Sequence, residues 1–481
     1  MKPISIFIIG AGPAGLTAAV EALEKDAIVT VVESSSVVGG ISQTVEVDGW
    51  RFDLGGHRFF TKVSRVEDFW KRMLPPGDFL TRPRLSRIYY KGKFFDYPLK
   101  PTNAFFGLGA FETFRCISSY LWARISKGKD QTNFEGWVSK RFGWRLYSIF
   151  FKTYTEKVWG ISATELSSAW AAQRIKDLSL PKAIADAFGF RKKNNTITTL
   201  INSFEYPRLG PGMMWEKASS EIQRLGGEVA FEEWPLEISR NGQQLEIQTN
   251  RRNITSDFVI SSMPLSQLPS ILKCQNQDVL SAANNLKYRD FLTVGIVIGT
   301  EDVFPDNWIY IHSPDVKVGR IQNFRSWSPE LVKPGFSLLG LEYFVNIGDN
   351  LWNASDDELI SLACDELESL GIAHSRNIVK GYVVRVPKAY PVYDDLYASS
   401  VDEIAAWLKE NWPGILPVGR NGMHRYNNQD HSMLTAMLAV ENLLEKENHD
   451  LWSVNVDDGY HEESSKREAF GGRSAPIVPR K

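Results

Sequence analysis

The stretch SIFIIGAGPAGLTAAVEALEKDAIVTVVE, residues 5–33, decides the fold. Ser5 to Ile9 reads as a short buried strand, and a glycine-rich turn follows. A helical stretch runs from about Ala14 to Leu23, and a second strand, Ile28 to Val32, ends at Glu33. Strand, turn, helix, strand and acid in that order predict a β-α-β unit that binds a dinucleotide. Within Gly10-Ala11-Gly12-Pro13-Ala14-Gly15, Gly10 permits the sharp turn out of the strand. Gly12 lets backbone approach a pyrophosphate, and Gly15 lets the helix pack close to the sheet. The helix N-terminus offers free N–H groups and a partial positive charge to phosphates. Glu33, with Ser34 beside it, stands where a carboxylate accepts ribose hydroxyls. A glycine-rich hexapeptide alone is often only a turn; its ordered neighbours select the dinucleotide reading.

Composition bounds the rest. The chain has 481 residues, 43% hydrophobic and 12% aromatic, which excludes disorder throughout. That length suits two to four domains or one large composite fold. Lys+Arg 55 against Asp+Glu 57 gives a net charge of −2, so no basic excess points to nucleic acid. Three distant cysteines, Cys116, Cys274 and Cys364, make neither a disulfide framework nor a zinc spacing, and no metal site is expected. A reducing cytoplasm is the expected setting. No apolar run is long enough to span a bilayer. Ile4 to Ala19 imitates a signal peptide, but its glycine-rich centre favours a buried strand and turn.

Outward from the first unit, Thr44 to Asp53 alternates around Asp48-Gly49, and Arg87 to Phe95 around Lys91-Gly92, predicting two hairpins. Residues from about Thr102 to Ile175 read as helical and Trp-rich; 176–205 are polar and carry no clear pattern. Strand and helix alternate again from Tyr206, through Gly226-Gly227-Glu228-Val229, to Val259–Ser262. Strand-like runs follow at Leu292–Gly299, Trp308–His312, Gly319–Phe324, Ser337–Val345 and Ile378–Val386. A last strand, Ile415–Val418, leads to Gly419-Arg420, and a helix runs from about Gln429 to Leu444. Met433, Leu434, Met437, Leu438 and Leu444 give that helix an apolar core face. The tail from Glu447 is charged and reads as mobile.

The predicted class is α/β: a discontinuous Rossmann-like FAD-binding domain, a helical insertion, and an antiparallel-sheet substrate domain. The expected segments are 1–85, 206–290 and 413–446 for FAD binding, 86–205 for a hairpin and helical substrate domain, 291–412 for the sheet, and 447–481 for the tail. FAD is favoured because Val38-Gly39-Gly40-Ile41 supplies an extra turn after Glu33 that reaches around a longer ligand.

Gly10–Gly15, Glu33, Gly39-Gly40 and Gly419-Arg420 resemble the flavin-dependent amine oxidase superfamily. A sharper set resembles the UDP-galactopyranose mutases within it, especially the eukaryotic type. Phe52-Asp53-Leu54-Gly55-Gly56-His57 is similar to their histidine loop beside the flavin. Tyr154-Thr155-Glu156-Lys157-Val158-Trp159-Gly160, Ala169-Trp170 and Arg174 are similar to their substrate-side helices. Gly419-Arg420, Tyr426 and Asn428-Gln429-Asp430-His431-Ser432 are similar to their C-terminal flavin and substrate segment. Weaker matches are Tyr97-Pro98-Leu99-Lys100, Tyr310, Arg320 and Tyr390-Pro391. Departures are Thr155 in place of an Asn, Lys100 in place of a Gln, and the unaligned 176–205.

The resemblance implies FAD held by Gly10, Gly12, Pro13, Ala14, Gly15, Glu33, Ser34, Gly39, Gly40, Ile41, Gly56, His57, Val229, Gly419, Gln429, Asp430 and Ser432. It implies substrate contacts at Tyr97, Lys100, Thr155, Trp159, Arg174, Tyr310, Arg320, Tyr390, Arg420, Tyr426 and Asn428. Arg174 and Arg320 would clamp a diphosphate through planar, always charged forks. Either alone reads as a surface ion pair. The tyrosines alone read as core packing with a satisfied hydroxyl, and Trp159 and Trp170 as core. A histidine such as His57 titrates near neutrality when unperturbed, and the resemblance sets it against the flavin. Its plainer reading is a ring donating to a backbone carbonyl.

The implied activity is ring contraction of a nucleotide-linked hexopyranose to a furanose, a UDP-galactose-like substrate, with His57, Arg174 and Arg320 as the catalytic set. Reduced FAD would do the covalent chemistry through an N5 adduct at the anomeric carbon, with NAD(P)H as candidate external reductant. The expected partners are a nucleotide-sugar and, in line with glycan biosynthesis, no nucleic acid and no integral membrane segment; a homo-oligomer is compatible. Two other readings stand: a flavin amine oxidase or desaturase-like oxidoreductase with a mainly apolar cleft, and a non-catalytic flavin-binding protein.

Overall fold

The computed structural model of the protein describes residues 3–97, 99, 101–126, 131–168, 199–200, 203–454 and 463–464. Lys100, Trp170 and Arg174, and all but a few residues of 176–205, lie outside them, as does most of the tail beyond 454.

The first unit forms where the sequence predicts it. Five strands make a parallel sheet in the order Glu228–Phe231, Ile28–Glu33, Ser5–Ile9, Phe258–Ser261 and Ile415–Pro417. Three chain segments therefore meet in one sheet, as the discontinuous reading requires. Helix Pro13–Leu23, opened by Pro13 in its first turn, is buried along nearly all its length. The reason is a second helix laid over it. Gln429–Leu444 is buried on every side from Asp430 to Val440, so the single apolar face expected for it is too modest a description. On its other side the first helix sits tight on its own turn: a Cβ on Gly15 would lie 1.8 Å from the Gly10 carbonyl oxygen.

A seven-stranded sheet stands beside it, in the order Ile378–Pro391, Tyr288–Ile298, Ser337–Val345, Arg320–Asn323, Trp308–Ile311, Ser86–Tyr90 and Lys93–Asp96. All pairs are antiparallel except one, because Ser86–Tyr90 runs parallel to Trp308–Ile311. An isolated hairpin is marginal in water, and docking on this edge gives residues 86–96 a hydrophobic partner. Helix Asp356–Ser369, started by a full capping box at Ser355 and Glu358, covers one face through Leu359, Ala363 and Leu367. Helix Tyr397–Asn411 packs instead on the parallel-sheet side, with Val401, Ile404 and Leu408 in one cluster with Phe7 and Val259.

The helical region comprises Pro101–Leu108, Ala110–Ile125, Phe134–Phe142, Trp144–Tyr147 and Thr153–Trp159. Lys157 ties it to the sheet: its ammonium donates to the carbonyls of Ser313 at 2.7 Å, Val318 at 3.0 Å and Ile311 at 3.4 Å. Burial lowers that ammonium's pKa to about 8.

Candidate active site

The cleft lies where the C-terminal ends of the parallel strands meet the seven-stranded sheet. Gly10 turns out of its strand at φ +95°, and its N–H donates to the Val32 carbonyl at 2.8 Å. Gly12 precedes the helix with an extended backbone. A Cβ there would meet only the Gly40 Cα, at 3.9 Å, so the two glycines face one another closely. Gly39 and Gly40 hold φ of +101° and +54°, and the Gly39 N–H donates to the Ala11 carbonyl at 2.8 Å. Glu33 accepts from the Ala11 N–H at 2.8 Å, the Ser35 N–H at 2.9 Å and the Ser34 hydroxyl at 3.3 Å. Val229 pairs with Val31 one strand over, and Ile41 packs on the Leu54 and Phe291 cluster.

Gly419 brings a second helix N-terminus to the same place. A Cβ on it would stand 2.8 Å from that of Ala14 and 3.8 Å from that of Ser432, and its N–H donates to the Thr435 hydroxyl at 3.0 Å. The Gln429 amide donates to the Arg58 carbonyl and accepts from Ser42, both at 3.3 Å. Thr61 donates to Asp430 at 3.0 Å. The histidine loop is thereby strapped to the last helix. Asn428 caps that helix without a side-chain hydrogen bond; its carbonyl accepts from the Ser432 hydroxyl at 3.1 Å. Two helix N-termini, three close glycines and an acid at the strand end suit a bound dinucleotide.

His57 lies half-buried on this loop. The Gly55 backbone lies beside its ring, whose Nδ1 has no hydrogen-bond partner among the described residues. Burial, then the charges of Arg420 and Arg320, push its pKa down to about 3. The ring is uncharged at neutral pH, so the neutral-pH titration of an unperturbed histidine does not apply. Gly56 lies against Gln322 and Trp327.

Arg320 belongs to the sheet, opposite Tyr310 on one side and Glu342 on the other. Its Nε donates to Glu342, a carboxylate with no exposed side-chain surface. Gln322 donates to the other carboxylate oxygen at 2.8 Å, and Trp327 donates to Gln322 at 3.0 Å. A Cβ on Gly55 would lie 3.7 Å from the Arg320 Nη2 and 3.8 Å from the His57 Cε1. Arg420 donates to the Asn427 carbonyl at 2.9 Å and lies over the rings of Tyr426 at 5.1 Å and Tyr390 at 5.5 Å. Tyr390 stacks on Tyr426 at 5.6 Å, and Trp159, itself buried, meets Tyr426 at 5.9 Å. A second aromatic run joins Tyr97 to Tyr310 at 5.0 Å, Tyr310 to Tyr154 at 5.3 Å and Tyr154 to His312 at 5.0 Å. Burial pushes the Tyr390 phenol up to about 12 and that of Tyr154 further, so both donate at neutral pH. Thr155 is buried behind this wall.

Sequence reading alone missed three residues here. Glu342 stood out as one charge inside the apolar run Ser337–Val345, a signal of a buried pair. Arg58 follows His57 directly and lies 5.1 Å from the Trp308 ring; Arg84 lies 5.6 Å from Tyr97 and 5.7 Å from Trp308. Nothing in the local pattern marks Arg84.

A profile of flavin-containing amine oxidoreductases matches residues 13–416. The chain belongs to that family. Membership implies a flavin cofactor. Curated relatives include L-amino acid oxidase Cdc18 of Crotalus durissus cumanensis, 25% identical over 288 residues, covering 54% of this chain and 52% of that protein. Another is a probable UDP-galactopyranose mutase of Klebsiella pneumoniae, 26% identical over 179 residues, covering 35% of this chain and 44% of the other. The chain thus spans about half the length of the curated oxidases it matches. Among solved structures, reduced UDP-galactopyranose mutase superposes with a TM-score of 0.81 at 21% identity, over 92% of this chain and 96% of that one. A triple mutant of putrescine oxidase gives 0.63 at 15% identity, over 92% and 99%. These likenesses establish a mixed α/β fold of the flavin amine oxidase type.

Proposed function

We propose that this flavoenzyme is a sugar-nucleotide mutase of the UDP-galactopyranose mutase kind, nearer the eukaryotic type, interconverting pyranose and furanose forms of an NDP-hexose. The observation that carries the reading is that Arg320, beside His57 at Gly55, and Arg420, from a different segment, both set their charge against the uncharged ring of His57. Two guanidinium charges repel a cationic amine and attract a diphosphate. The phenols of Tyr154, Tyr310, Tyr390 and Tyr426 line the same wall and supply neutral donors for phosphate oxygens.

A bound, reduced flavin supplies nucleophilic chemistry at the anomeric carbon. The protein's share is binding and orientation. Arg320 and Arg420, with Arg174 outside the described residues, hold the departing diphosphate close so that it returns. His57 presents an uncharged ring to the cofactor. The reductant is of the NAD(P)H class.

The second reading is an oxidase that removes hydride from an anionic substrate. Family membership and the L-amino acid oxidase relatives favour it. One experiment separates the two. The purified yellow protein is reduced with dithionite and incubated with UDP-, GDP- and dTDP-sugars, and products are resolved by chromatography. An isomeric sugar nucleotide formed only under reducing conditions supports the mutase. Bleaching of the oxidised flavin by substrate, with oxygen consumption, supports the oxidase and overturns the mutase.

A further inference from the structure

We propose that helices Pro101–Leu108 and Ala110–Ile125 dock the protein on an anionic lipid bilayer surface. Phe106, Phe111, Phe114, Trp122 and Ile125 are between 68% and 82% exposed, and Phe105, Ile117 and Leu121 extend the same surface. Scattered exposed apolar residues are ordinary in a folded protein; a contiguous aromatic face is not.

The other side of the second helix is fully used. Cys116 is buried, Ser119 accepts from the Arg145 N–H at 3.0 Å, and Lys140 donates to the Ala123 and Ser126 carbonyls at 2.7 and 2.8 Å. A Cβ on Gly143 would stand 2.6 Å from the Tyr120 backbone nitrogen. The helix is therefore fixed in rotation, and its outward face is outward by construction.

Charge complementarity selects the occupant. The described residues 101–126 hold Arg115 and Arg124 against the single acid Glu112, in a chain that is slightly acidic overall. Glu112 is itself paired with Arg145 and Arg115. At about 100° per residue, Arg115 and Arg124 fall on the two edges of the apolar face. Arg115 lies 5.9 Å from the Phe111 ring and Arg124 5.2 Å from that of Tyr120. An apolar aromatic stripe with cations along both margins is the pattern of a helix lying in a lipid interface over acidic headgroups. No helix among the described residues is long and apolar enough to cross a membrane, so the docking is peripheral.

The face is joined to the cleft. Asn103, in the first helix, accepts from the Asp96 N–H at 2.9 Å, one residue before Tyr97 on the cleft wall. Docking thus sets the cleft rim near the lipid plane, whatever the reaction.

The test uses the full-length flavin-loaded protein and sedimentation with vesicles of phosphatidylcholine, with or without roughly one-third phosphatidylglycerol. Wild type is expected to co-sediment with the anionic vesicles and to release at high salt. F111S/F114S/W122S should lower partitioning by about tenfold or more. R115E/R124E keeps the apolar face intact and should abolish the preference for anionic lipid. Flavin absorbance and circular dichroism verify that each variant is folded. Equal binding to neutral and anionic vesicles, or binding to neither, overturns the proposal. So does a wild-type dimer that F111S/F114S/W122S makes monomeric without any vesicle binding, since that assigns the face to a second copy.

Discussion

Arg320 and Glu342 sit directly opposite one another on adjacent antiparallel strands, and the arginine Nε donates to a carboxylate with no exposed surface. The pair is unequal. Burial pushes the Glu342 carboxyl up while Arg320 pulls it down; the guanidinium stays protonated beside it. A lone buried carboxyl can take a proton, whereas a lone guanidinium cannot lose one. Glu342→Gln should therefore destabilise the fold by about 3 kcal/mol, and Arg320→Met by less. Denaturant unfolding of both variants decides; equal costs would show that the pair is not held this way.

Arg420 acts on His57 by charge. Removing it in Arg420→Met should raise the His57 pKa from about 3 toward the ordinary range, because Arg420 is the largest charge contribution opposing protonation. NMR titration of the imidazole reads the shift. The same variant should weaken binding of a nucleoside diphosphate about tenfold or more while flavin content stays the same.

Asp53 is buried and accepts from Tyr206 and, at 2.8 Å, from Thr44. Burial raises its pKa from 3.8 to about 7 despite both donors. The folded protein thus holds a proton that the unfolded chain releases. The stability this group contributes is complete below pH 3.8 and is lost as pH rises to about 7. Asp53→Asn removes the titration. Wild-type stability should fall relative to the variant across that window, by at most about 1.4 kcal/mol per pH unit, and run parallel above it. Unfolding measured at a series of pH values reads the difference.

Gly15 cannot carry a side chain, because a Cβ would press to 1.8 Å on the Gly10 carbonyl oxygen. Gly15→Ala must push the first helix off the sheet and disturb the turn at Gly10. The expected outcome is colourless protein with an intact seven-stranded sheet, since that sheet has its own core. Absorbance at flavin wavelengths together with circular dichroism checks it. Retention of full flavin would show that the turn relaxes.

The features legible along the chain are local ones. Gly10–Gly15 with Glu33, the hairpin turns at Asp48-Gly49 and Lys91-Gly92, and the strand runs are each set by neighbours a few residues apart. Backbone freedom and hydrophobic period act over that range and are written in order along the chain. Tertiary structure decided the rest. Glu342 lies 22 residues from the arginine it binds. Gly419 meets Ala14 only after the last helix folds over the first. Helix Tyr397–Asn411 joins the parallel-sheet core although it follows the antiparallel strands. Charge and burial around His57 come from three separate segments, and a side chain's pKa depends on what surrounds it in space. No spacing along the chain encodes that distance, so the sequence named the histidine and only the fold made it neutral.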